Sequence, residues 1–227
     1  MWLQVYISTK FKYLISMMAI IGITMKKIIT TIGSILLLTI VSAKAEMGIG
    51  ISGAIHHITG DGTETTRTSN QKNTGSHSEE AVVPEIFIEA INDDGLAIGI
   101  SYIPTRDMGS KSRTDSETAT GRDSGTYKAA AELDNVIKFY TDIPAGSIVG
   151  YPTYVHLGIQ HVTLATLESL NSGATYPNQD LFGATIGLGT KGDLGGNLYY
   201  KAEVSYTDFE TYDATGAGNR VQADLTD

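Results

Sequence analysis

The stretch AVVPEIFIEAINDDGLAIGISYIP, residues 81–104, decides the fold. Its first half sets Val82, Pro84, Ile86, Ile88 and Ala90 on one face, opposite Glu85, Phe87 and Glu89. Its second half sets Leu96, Ile98, Ile100 and Tyr102 against Ala97, Gly99 and Ser101. Period two is the signature of a strand with one apolar face. Asn92-Asp93-Asp94-Gly95 between the halves is a tight hairpin signal.

The same alternation recurs outward from this hairpin. Met47–Ile58 places Ile49, Ile51 and Ile55 opposite Gly48, Gly50, Ser52, Ala54 and His56. Tyr127–Asp142 gives Leu133, Ile137 and Phe139 against Glu132, Asp134 and Lys138, although its Ala-rich start could also pass for helix. Val149–Val162, Phe182–Thr190 and Leu198–Phe209 complete seven strands, and an eighth runs from Arg220 with Val221, Ala223 and Leu225 on one face. Connections alternate between short (residues 92–95, around 144–147, and 192–196) and long and polar (residues 59–80, 105–126, 163–180 and 210–219). All short turns therefore lie at one end, as in a membrane barrel with short periplasmic turns and long external loops.

Upstream, Met25-Lys26-Lys27, the apolar run 28–41 and Ala43-Lys44-Ala45 have the layout of a secretory signal peptide. The reading is a mis-called extension over residues 1–24, a signal peptide over 25–45 and one barrel domain over 46–227. Cysteine is absent, so neither a disulfide framework nor a lipoprotein anchor is available. A net charge of −9 argues against nucleic acid as a partner.

Period two alone does not say which face meets lipid. The export signal and the mixture of small residues with charges favour the apolar face outward and the polar face toward a narrow lumen. Tyr102, Phe139, Tyr151, Phe182, Tyr200, Tyr206 and Phe209 would supply interfacial aromatic girdles. On this facing Ile100→Arg should block insertion and Gly99→Ser should be tolerated.

From Glu46 to Asp227 the chain resembles the small eight-stranded outer-membrane barrels of the OmpA/OmpX type, in pattern and architecture rather than through a specific fingerprint. The resemblance implies an all-β, antiparallel, up-and-down transmembrane barrel, and a monomer. It also implies outer-membrane lipid, lipopolysaccharide and the insertion machinery as partners. Such barrels usually close on a C-terminal aromatic; this chain ends Leu225-Thr226-Asp227, and the eighth strand reads as truncated.

The expected lumen charge network is Glu85, Glu89, Glu132, Asp134, Lys138, Lys201 and Glu203, with Arg220 as a further cation. The structural reading is a salt-bridged plug, because eight strands leave room for little beyond side chains; the alternative is a narrow cation-preferring pore. His156 should face the lumen, but the serines nearest it in sequence, Ser147 and Ser169, fall in connections, and no nucleophile–base set assembles. No enzyme, cofactor or metal site is therefore expected. The glycines form no phosphate-binding loop and the Asp/Gly loops lack calcium-loop spacing. Arg67, Lys72, Arg106, Lys111, Arg113 and Arg122 could meet lipid phosphates at the outer rim. The expected role is structural or cell-surface contact. A secreted soluble barrel with an apolar ligand inside is the remaining alternative.

Overall fold

The computed structural model describes residues 45–65, 70, 72–115, 125–168, 175–195, 198–216 and 219–227. The extension over 1–24 lies outside the described residues, as does the signal peptide over 25–45 except for Ala45. The strands are β1 (Glu46–Thr65), β2 (Lys72–Ile91), β3 (Ala97–Ile103), β4 (Arg106–Asp115), β5 (Gly125–Ile148), β6 (Tyr151–Thr166), β7 (Gln179–Gly195), β8 (Leu198–Phe209), β9 (Tyr212–Gly216) and β10 (Asn219–Thr226). All described pairings are antiparallel, in the order β1-β2-β3-β5-β6-β7-β8-β10-β9, with β4 on β5 and β10 back on β1. Since β4 continues β3 and β9 continues β8, the ten strands form eight staves of an up-and-down barrel.

The hairpin at 92–95 closes as its sequence requires. Gly95 N–H donates to the Asn92 carbonyl at 2.9 Å, and Gly95 sits at φ 83°, a conformation open to glycine without penalty. The next short turn differs from expectation. It is Val149-Gly150, both at positive φ, while Pro144–Ser147 is an irregularity within the β5–β6 ladder. The long connections are shorter than their composition implied. Thr59–Thr65 pairs with residues 72–78, β4 pairs with Gly125–Leu133, and β9 lies within the last connection. Threonine-rich polar strands read as loop because they alternate polar with polar.

Facing changes along the barrel axis. Toward the short-turn end the outward side chains are apolar, including Ile49, Ile51, Ile86, Ile100, Phe139, Leu157 and Leu188, all exposed. The run from Met47 to Ile55 fits the ~9–11 residues that a tilted strand needs to cross hydrocarbon. Toward the long-loop end the sense reverses. Ile58, Val83, Ile103, Leu133, Val136, Val162, Leu164, Leu181, Phe209, Tyr212 and Leu225 form one buried apolar cluster inside the barrel. Outside them stand polar groups such as Asp61, Glu80, Asp107, Asp213 and Asp224. The apolar side is outside in the first half and inside in the second, so past the belt the staves have the facing of a water-soluble barrel with its own core.

Closure is made at the long-loop end. β10 pairs with Thr59–Thr65 of β1, and Thr226 pairs at once with Thr59 and with Asp208 of β8. Below that row no ladder joins β1 to β8 among the described residues. Their outward side chains are correspondingly bare: Ile51 is 79% and Val204 81% exposed, against 38% for Ile100, which is flanked on both sides.

Candidate functional site

The interior of the belt is filled from three sources: aromatic rings, glycines that seat them, and charges. Gly50 pairs directly with Phe87, Gly99 with Tyr140 and Gly189 with Tyr154, and toward the long-loop end Gly183 pairs likewise with Phe209. In each pair the ring lies over its cross-strand glycine; a Cβ on Gly99 would stand 2.3 Å from the Tyr140 ring, and one on Gly189 2.2 Å from that of Tyr154. This crowding runs against the expected tolerance of Gly99→Ser. Glycine faces inward here because an aromatic neighbour needs its space.

The rings present their hydroxyls to carboxylates. Glu89, 1% exposed, accepts from Tyr140 Oη at 2.7 Å, Tyr199 Oη at 3.0 Å and Lys201 Nζ at 3.0 Å. Lys201 Nζ also donates to Asp142 and lies 4.8 Å from the Tyr140 ring centroid. His156 Nδ1 is 2.7 Å from Asp142 Oδ1 and 3.1 Å from Glu203 Oε2, and Tyr154 Oη donates to Glu203 at 3.0 Å. Imidazole and phenol stack, with Tyr140 and His156 centroids 5.2 Å apart.

Further along the axis Gln160 donates to Thr185 and Thr207. Lys138 Nζ meets Glu85 at 2.9 Å, and Arg106 meets Asp227 at 2.9 Å beside His56. Nearly every charge has an opposite partner, as burial in a narrow interior demands.

Of the expected network, Glu85, Glu89, Lys138, Lys201 and Glu203 lie in this interior. Glu132 and Asp134 do not. Asn135, at φ 53°, forms a bulge between Asp134 and Ile137, and the extra residue flips the side-chain parity of everything before it. Leu133 is therefore inside and fully buried, while Glu132 and Asp134 stand outside above the belt. Arg220 is also outside, paired with Asp213. Arg106, expected at the lipid rim, is 4% exposed, because the break after Ile103 turns it inward. Phe209, expected in a girdle, is buried over Gly183. Arg67 and Arg122 lie outside the described residues. Asp142, His56, Arg106 and Asp227 were missed as members; the alternation Lys138, Tyr140, Asp142 could have found the first.

Asp142, His156 and Glu203 place three ligand-type atoms within 4.8 Å of one another. Lys201 already occupies Asp142, and the imidazole nitrogen is the point on which both carboxylates converge. Among the described residues the three groups are thus joined to Lys201 in one ion network. His156 Nε2 is buried and has no hydrogen-bond partner among the described residues.

No family model matches the chain, and no curated protein matches it. A solved structure of Ail, the attachment invasion locus protein of Yersinia pestis, in complex with the heparin analogue sucrose octasulfate, is similar over 80% of this chain and 95% of that one, at 12% identity and a TM-score of 0.30. So loose a likeness carries no argument, and the fold stands on the strand pairing and facing described above.

Proposed function

We propose that the chain is a bacterial outer-membrane barrel with a plugged interior, whose role is structural or one of surface contact rather than conduction or catalysis. The observation that carries this reading is the reversal of facing along the staves. An apolar belt outside a charged interior suits hydrocarbon, and an apolar core inside a polar collar suits water beyond it. Lipid, lipopolysaccharide and the insertion machinery are the partners such a monomer would meet. A secretory leader over 25–45 would deliver it.

The interior argues against a pore. Glu89, Asp142, His156, Gln160, Thr185 and Thr207 are all buried, and the apolar cluster stands above them on the same axis. The test joins two measurements on the full chain refolded in detergent. Heat-modifiable migration on a gel, with no conductance steps in a planar bilayer, is the expected result. Folding in plain buffer without a shift would overturn the membrane reading; steady cation-selective steps would overturn the plug.

A further inference from the structure

The barrel wall has a slot between β2 and β4. Residues 79–85 of β2 pair with β1 on one side, and no ladder joins their other side to β4 among the described residues. The lower end of the slot lies at Pro84 and Pro104, neither of which has an N–H to give. The upper end is plugged at Gly109, φ 82°, where a Cβ would stand 2.5 Å from His77 Nε2 and 2.9 Å from Glu79 Oε2. Between these ends is a cleft of about 320 Å³ lined by residues 79–84 and 104–107.

Three features give the cleft a chemistry. Its lower flank is apolar and bare: Val82, level with Ile55 at the upper margin of the belt, is 80% exposed, with β1 on one side and no ladder on the other among the described residues. Its charge is acidic at Glu79, Glu80 and Asp107, the first two each beside a single imidazole, His77 at 3.6 Å and His57 at 3.2 Å; among the described lining residues the cation is Arg106, whose charge is engaged by Asp227. Its floor holds an unused donor. Arg106 Nε is buried without a hydrogen-bond partner among the described residues, in a side chain only 2% exposed.

We propose that this slot is a docking site for a short, extended, basic peptide segment of a partner protein. The segment adds to the free edge of β2, places cationic side chains against Glu79, Glu80 and Asp107, and offers a backbone carbonyl to Arg106 Nε. A free strand edge supplies alternating donors and acceptors that a peptide backbone satisfies and a lipid chain cannot. Three carboxylates select against an anionic headgroup and for Lys or Arg. The site supplies a partner class for the surface-contact reading, and rests on that reading for its access to the cell exterior.

The test uses the full chain folded in detergent and a fluorescein-labelled KVKVK peptide, followed by anisotropy. Saturable binding is expected, weakened about tenfold by Glu80→Gln and more by Glu80→Lys, the scale of one lost charge-assisted contact. An N-methylated peptide and an EVEVE peptide should fail to bind. Asp224→Lys, on the collar away from the slot, should leave affinity unchanged. Equal losses from Glu80→Lys and Asp224→Lys would show general attraction to an acidic collar and overturn the proposal. Undiminished binding of the N-methylated peptide would overturn it too, as would displacement of KVKVK by a short-chain lipid. Heat-modifiable migration of each variant reports barrel folding separately, so a failed barrel is distinguishable from an unused slot.

Discussion

Pro84 and Pro104 fall opposite one another when the β2–β3 register, in which Ile86 pairs with Tyr102, is carried on by two residues. Two facing residues without N–H groups cannot continue a ladder, so β3 ends at Ile103 and the chain resumes as β4 on β5 alone. Replacing both prolines by Thr should let the ladder run on past Ile86. Each hydrogen bond gained adds about 0.5–1.5 kcal/mol net. Hydrogen exchange at Val82 and Val83 should slow in the double variant; unchanged exchange would mean that something other than the prolines holds the wall open.

The seating of Tyr140 over Gly99 makes a direct contrast with the tolerance that small-residue alternation implies. Gly99→Ser puts atoms inside the ring's contact distance and pulls Tyr140 Oη from Glu89. Overpacking of this kind costs about 1–3 kcal/mol. Denaturant midpoints of the refolded barrel should fall for Gly99→Ser and recover in part when Tyr140→Phe is added, because loss of the hydroxyl, 2.5 Å from a Cβ at residue 99, frees that space. A midpoint unchanged by Gly99→Ser would mean that the ring moves aside at no cost.

Lys201 bridges Glu89 and Asp142, carboxylates whose side chains are fully buried. Among the described residues, Lys201→Met leaves Glu89 with tyrosine hydroxyls but no cation and leaves Asp142 with His156 alone; breaking a buried pair typically costs about 3–5 kcal/mol. Adding Glu89→Gln to Lys201→Met should restore part of that loss, since one stranded charge is then removed. A single variant as stable as the parent would show that the network is hydrated rather than closed.

The strands were legible in the sequence wherever the outward row is apolar, because there apolar residues alternate with small or polar ones, as in Gly48-Ile49-Gly50-Ile51-Ser52. What was not legible has two physical causes. Parity is a running count, and one extra residue resets it; nothing at Asn135 announces a bulge, so Glu132, Asp134 and Leu133 were assigned to the wrong sides. Facing also depends on the medium, which the pattern does not state. Leu133, Val162 and Leu225 follow the rule of a soluble barrel because the wall has left the belt by that height. The glycine–aromatic seats needed the register between strands, which composition does not encode.

Glu132 sits directly opposite Asp107 and near Asp134, outside the belt. Partial desolvation, the hydrogen bond shared with Asp107, and the charges of Asp107 and Asp134 push its carboxyl above the ordinary range. The folded state therefore holds this proton to higher pH than the unfolded chain, which loses it near about 4.3. Stability from this site is greatest below that value and falls as pH rises through the folded pKa. Glu132→Gln should flatten that fall and leave the variant relatively more stable at neutral pH. A parallel pair of stability–pH curves would place the like charges too far apart to matter.

Ile100 tests the facing of the belt itself. It points outward from the centre of β3, between Ile88 on β2 and Phe139 on β5, each its direct cross-strand partner. Arginine there must carry its charge into hydrocarbon or reach for an interface, at a cost of about 2–4 kcal/mol at the midplane. The same substitution at Thr63, outward on β1 but beyond the belt, meets only water and should cost little. Folding yields in bilayers of graded thickness separate the two: Ile100→Arg should fail most in the thickest, while Thr63→Arg follows the parent throughout. Equal yields for both variants would mean that the row through Ile100 does not face lipid, and the barrel would have to be turned inside out.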